Sequence, residues 1–107
     1  MPTHIYNKLV RDKIPRIIEA NGQTASIRTL SKDEYLQALK VKLMEEVQEF
    51  NDSEALEELA DVLEVVRALA KHLGSDSEKL DKLQAAKRAE RGGFEKRLFL
   101  EQVTSNS

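Results

Sequence analysis

The chain has 107 residues, 40% of them hydrophobic, 34% charged and 5% aromatic, with a net charge of −2. That length fits one domain whose core is built from aliphatic side chains. Zero cysteines exclude disulfides and thiolate metal sites, and no apolar run approaches the roughly 20 residues of a membrane-spanning helix.

Asp12 is placed to cap a short helix over Lys13 to Ala20, with Pro15 in the first turn, where a missing N–H costs little. Asn21-Gly22 stops it. Residues 23–30 have β-branched content and no helical period, so they read as extended chain. Ser31 and Glu34 form an S-x-x-E capping box that opens a helix to about Phe50. Leu36, Leu39, Leu43, Val47 and Phe50 recur along it at helical spacing. Asn51-Asp52-Ser53 is expected to turn the chain into the next helix, from about Glu54 to Leu73. Gly74 ends that helix, and its two apolar stripes suit a central position in a bundle. Ser75 and Glu78 repeat the capping box before a helix to about Arg91, stopped by Gly92-Gly93. Residues 94–103 read as an extended segment or docked arm, and the tail at 104–107 as frayed. The fold class expected is all-α. It is a compact helical bundle centred on an antiparallel helix hairpin, with one domain spanning residues 1–103.

Charge is distributed unevenly. Residues 1–30 and 67–107 each carry +3, and residues 31–66 carry −8. An acidic centre repels phosphate, which argues against nucleic acid as a partner. The N-terminus, MPTHIYNKLV, lacks the apolar core of a signal peptide, so a cytoplasmic location is expected, with no membrane partner.

The acidic residues have a pattern. A helix advances about 100° per residue, so Glu46 and Glu49 share one side of the second helix with Lys42, and Glu45 lies beside them. Glu58 and Asp61 repeat the same spacing on the third helix. A tight antiparallel hairpin brings the two pairs together. Four converging carboxylates take up protons, push apart, or bind a cation. Hard oxygen ligands suit Mg²⁺, with Mn²⁺ as a substitute, rather than zinc. His4 and His72 do not recur at ligand spacing and read as surface residues. The competing reading of the whole pattern is a pair of ordinary solvated, Glu-rich helices.

At these residues the chain resembles the all-α nucleoside triphosphate pyrophosphohydrolases, the superfamily of MazG, the dimeric dUTPases and phosphoribosyl-ATP pyrophosphohydrolase. The EExxE motif is Glu45-Glu46-Val47-Gln48-Glu49, and ExxD is Glu58-Leu59-Ala60-Asp61. YNKLVRDKIP (residues 6–15) and RGGF (residues 91–94) resemble a MazG-like subgroup described as predicted house-cleaning pyrophosphatases. The resemblance implies hydrolysis of the α–β phosphoanhydride of a nucleoside triphosphate, giving a nucleoside monophosphate and pyrophosphate. It implies Mg²⁺ ligation by Glu46, Glu49, Glu58 and Asp61, with Glu45 handling the attacking water. It also implies a homo-oligomer, a dimer or tetramer. Lys42, Arg11, Lys13, Lys87 and Arg91 are the expected triphosphate contacts. Tyr6 and Phe94 are expected in the core. Only eight residues separate Glu49 from Glu58, which leaves little room for an inserted base-recognition loop. The alternatives are phosphoribosyl-ATP pyrophosphohydrolase itself and a non-catalytic helical interaction module with an acidic face.

Overall fold

The computed structural model describes residues 2–105. Four helices follow in order: α1 (Ile14–Ala20), α2 (Lys32–Ser53), α3 (Leu56–His72) and α4 (Ser77–Arg91). No strand occurs among the described residues, and the chain is an all-α bundle. The expected frayed tail at 104–107 lies partly outside the described residues.

The capping chemistry decides the boundaries. Ser31 does what its sequence context implies. Its Oγ accepts from the Glu34 amide at 3.2 Å, and Glu34 Oε1 accepts from the Ser31 amide at 3.1 Å. Asp12 does not cap α1. The helix starts at Ile14 after Lys13, with no side-chain cap, and the Ile14 amide donates to the Arg11 carbonyl at 3.0 Å. α4 also departs from expectation. Its cap is Asp76, whose Oδ1 accepts from the Lys79 amide at 2.8 Å, so the Ser75–Glu78 box does not form. A carboxylate one residue nearer the helix competes better for the free amides.

α2 runs through Asn51-Asp52-Ser53 instead of turning there. It ends at Glu54, which takes the left-handed conformation at φ 54° and donates its amide to the Phe50 carbonyl at 2.7 Å. Ser53 Oγ then accepts from the Ala55 amide at 3.2 Å, and α3 starts at the next residue. The α2–α3 connection is therefore two residues, Glu54 and Ala55, and the helices pack as the central hairpin.

Leu39 on α2 and Val65 on α3 fill the hairpin contact, at 2% and 6% exposure. Tyr35, near the start of α2, meets His72 at the end of α3 edge to face, with centroids 5.7 Å apart. His72 is thus half-buried rather than a surface residue. α4 packs on α3 near its own start, where Leu80 is half-buried and Arg67 pairs with Asp81 at 3.3 Å. From Asp81 onward α4 is exposed, as are the described residues beyond it. Residues 23–30 connect α1 and α2 without regular structure. After a turn at Phe94–Arg97, the segment to residue 103 has no regular structure and is exposed, so it is not a docked arm. Phe94 and Tyr6 are not in the core: they are 95% and 70% exposed. With these outlying segments the molecule measures 71 × 32 × 23 Å.

Candidate metal centre

The hairpin sets the acids in register. With two connecting residues, the last turns of α2 lie against the first turns of α3. One carboxylate oxygen each from Glu46, Glu49, Glu58 and Asp61 lies within 4.8 Å of the others. The expected convergence of the two i, i+3 pairs is present. Glu58 and Asp61 are half-buried and Glu49 is exposed, so the group opens to solvent on one side.

Glu46 is the exception, at 7% exposure. Its Oε1 is 3.2 Å from Lys42 Nζ. Its Oε2 is buried and has no hydrogen-bond partner. A buried carboxylate oxygen without a partner is costly, and most such atoms in folded proteins are satisfied. Burial is the largest influence on the Glu46 carboxyl and pushes its pKa up. Lys42 pulls the other way, Glu49 adds to the rise, and the net direction is upward. Burial also works against the charge on Lys42, but its bonds to Glu46 and Glu45 outweigh that and raise its pKa. An orphaned, buried oxygen in a ring of hard oxygen donors is what a divalent cation fits. Together, the donor set and the orphan atom form a group that could hold a metal ion.

Cations surround the acids. Lys42 Nζ lies 3.3 Å from Glu45 Oε1. Arg11 Nη2 donates to Asp61 Oδ1 at 2.7 Å. Lys8 Nζ stands 3.6 Å from Glu45 Oε1 and 5.5 Å from the Tyr6 ring centroid. The segment before α1 therefore crosses the hairpin beside the acids. It walls a cleft of about 280 Å³ with Leu9, Val10, Arg11 and Asp12. Lys42, Glu46, Asp61 and Glu64 line its polar part; Tyr35, Leu39, Val65 and Ala68 line the rest.

Of the residues expected at the site, Glu45, Glu46, Glu49, Glu58, Asp61, Lys42 and Arg11 come together. Lys13, Lys87 and Arg91 do not line this cleft. Lys13 immediately precedes α1. Lys87 lies on the exposed half of α4, and Arg91 lines a separate depression with Gly92 to Leu98. Lys8 is a site cation that sequence reasoning passed over. Its signal was present: it sits three residues before Arg11 in the same KLVR stretch.

No family model matches the chain, and no solved structure matches it. An uncharacterised protein of Mycolicibacterium smegmatis (strain ATCC 700084 / mc(2)155) is 62% identical over 42 residues. That match spans 39% of this chain and 43% of the relative. No helix among the described residues is long and apolar enough to cross a membrane.

Proposed function

We propose that the chain is a Mg²⁺-dependent nucleoside triphosphate pyrophosphohydrolase that releases a nucleoside monophosphate and pyrophosphate. The observation that carries this reading is the four-carboxylate group with the unpartnered Glu46 Oε2, walled by Lys8, Arg11 and Lys42. Acids for a cation beside bases for an anion suit a metal–polyphosphate complex better than either ligand alone. The motif resemblance selects the α–β bond as the one cleaved.

Glu46, Glu49, Glu58 and Asp61 would hold the ion. When bound, it would neutralise phosphate oxygens and make its water more acidic. The remaining work falls to the chain. Lys42 and Lys8 steady Glu45 through Oε1, which leaves Oε2 to orient the attacking water and take its proton. As water bonds to the α-phosphorus, the bond from that phosphorus to the bridging oxygen breaks and pyrophosphate departs. Arg11 is tied to Asp61 and would exchange that partner for phosphate charge, where cations stabilise the transition state most. The apolar part of the cleft, with Tyr35, would take the nucleoside. Partners in this reading are the nucleotide and further copies of the chain, not nucleic acid.

A pyrophosphate-release screen over standard and modified nucleotides, with Mg²⁺ or Mn²⁺, tests the proposal. At least one nucleotide should be cleaved, and Glu46→Gln should abolish cleavage while leaving the helical signal intact. No cleavage across the panel would overturn it. Cation binding without any turnover would favour an acidic interaction module instead.

A further inference from the structure

Arg91 lies in a depression of about 490 Å³ formed by residues 91–98, the turn that follows α4. Three of the side chains lining it are cationic: Arg91, Lys96 and Arg97. Among the described residues, none of the three forms an ion pair. The dipole of α4 accounts for Arg88 and Arg91 in its last turn. It does not account for Lys96 and Arg97, which lie beyond the helix end. Like charges drawn to one turn repel, and a bound anion relieves that repulsion.

The turn already holds an anion, and it is the chain's own. Arg88 Nη2 donates to Glu95 Oε1 at 2.6 Å. The guanidinium and the carboxylate meet over Gly93, in the space that a Cβ at residue 93 would fill. Arg88 is the largest influence on the Glu95 carboxyl and holds it below the usual glutamate range. The amides of Glu95 itself and of Phe94 act the same way, and slight desolvation opposes them. A side-chain cation and two backbone amides thus converge on one carboxylate above a residue that has no side chain. Arg97 closes the turn at φ 57°, its amide donating to the Phe94 carbonyl at 3.0 Å. That conformation is disfavoured for a residue with a Cβ, and such strain concentrates at binding sites.

Glu95 fills this receptor poorly. It brings one negative charge to a turn that gathers Arg88, Arg91, Lys96 and Arg97. Its side chain is 70% exposed, so it can swing out into water at little cost. A phosphate group carries about −1.5 to −2 charges and three strong acceptor oxygens, more than a carboxylate offers. Guanidinium groups also meet phosphate through two parallel hydrogen bonds. Two linked phosphates would take Arg88 from Glu95 and bring charge to the unpaired cations beside it.

We propose that the turn at residues 91–98 is a second anion site, which binds two linked phosphate groups, and that Glu95 is an internal stand-in the ligand displaces. The ligand is free pyrophosphate or the phosphate tail of a nucleotide. None of the residues of this turn lines the cleft beside the four carboxylates, and the site stands independently of the reaction proposed above.

Titration calorimetry of the full chain, stripped of metal and at low ionic strength, tests this with sodium pyrophosphate. Binding should be submillimolar and weaken as salt is added. Arg91→Gln and Arg97→Gln should each weaken it about fivefold or more. Glu95→Gln should strengthen it about threefold, because the competing carboxylate is gone. Glu90→Gln makes the same change of charge on α4 and should leave the affinity unaltered. All four side chains are exposed, so helical circular dichroism should not change. A nucleoside triphosphate, titrated separately, distinguishes the two sources. Equal affinity assigns the site to the phosphates alone. Tighter nucleotide binding that Phe94→Ala removes assigns it to a nucleotide's tail, with the exposed Phe94 ring on the base. No binding of either ligand at millimolar concentration would overturn the proposal. So would binding indifferent to Arg91→Gln and Arg97→Gln, or a Glu95→Gln chain that binds no more tightly than Glu90→Gln.

Discussion

Lys42→Met is the sharpest perturbation of the candidate centre. Lys42 Nζ bridges Glu46 at 3.2 Å and Glu45 at 3.3 Å, and the Lys42 side chain is only 15% exposed. Removing it leaves the Glu46 carboxylate buried, with Glu49 close by and no cation in contact. Breaking a buried pair from one side costs about 3–5 kcal/mol, and the open edge of the site places this case near about 3 kcal/mol. For a domain of this size that lowers Tm by roughly 12 °C or more. Glu46→Gln in the same chain should recover much of the loss, because the uncompensated charge is gone. The deficit should also depend on pH. Glu46 titrates above the usual glutamate range because burial, the largest influence, and Glu49 together outweigh Lys42. Folding therefore favours its protonated form. Its stabilising contribution is present below the unfolded pKa and is lost as pH rises through the folded pKa. The Lys42→Met deficit should thus be large at neutral pH and shrink as pH falls toward the ordinary carboxylate range. Metal-free urea unfolding of the four chains of a double-mutant cycle, at two pH values, measures this. A Lys42→Met cost below about 1 kcal/mol at neutral pH, or one equal at both pH values, would refute the reasoning.

Further outcomes follow from the same geometry. Mg²⁺ or Mn²⁺ at ten times its dissociation constant should stabilise the chain by about 1.4 kcal/mol, a Tm rise of roughly 6–11 °C by scanning calorimetry. Glu46→Gln should remove that rise. Arg11→Ala frees Asp61 from its 2.7 Å partner, so Mn²⁺ affinity by titration should hold or improve while turnover falls about tenfold or more. Glu54→Gly should raise Tm by several degrees, because Glu54 sits at φ 54° and a residue with a Cβ pays about 1 kcal/mol there. Asp76→Ala should cost about 1 kcal/mol in thermal unfolding while Ser75→Ala costs little, since Asp76 holds the cap.

The long helices and their pairing were legible because their signals are periodic and redundant. Leu36, Leu39, Leu43 and Phe50 mark one stripe, and any one of them is dispensable to the reading. The carboxylate group followed from that stripe, since i, i+3 spacing fixes Glu46, Glu49, Glu58 and Asp61 once the hairpin is granted. Boundaries were less legible because they rest on single competitions. Asn51-Asp52-Ser53 has turn composition, yet the turn occurs where one residue adopts the left-handed conformation, and Glu54 gives no compositional sign of it. Ser75 and Asp76 both offered caps, and one residue of offset decided between them. Tyr6 and Phe94 were assigned to a core on hydrophobicity alone, which cannot distinguish burial within one chain from burial against another. Lys13, Lys87 and Arg91 were placed by local stretches of sequence. Whether such cations reach a cleft depends on the path of α4 and of the segment before α1, which local patterning does not encode.

The central claim is tested most directly by following the products of turnover with ³¹P NMR, using Mg²⁺ and any nucleotide the screen finds to be cleaved. The account predicts equal amounts of nucleoside monophosphate and pyrophosphate, with no signal from nucleoside diphosphate or inorganic phosphate, and no turnover by Glu46→Gln. Nucleoside diphosphate and phosphate as products, or turnover undiminished in Glu46→Gln, would contradict it.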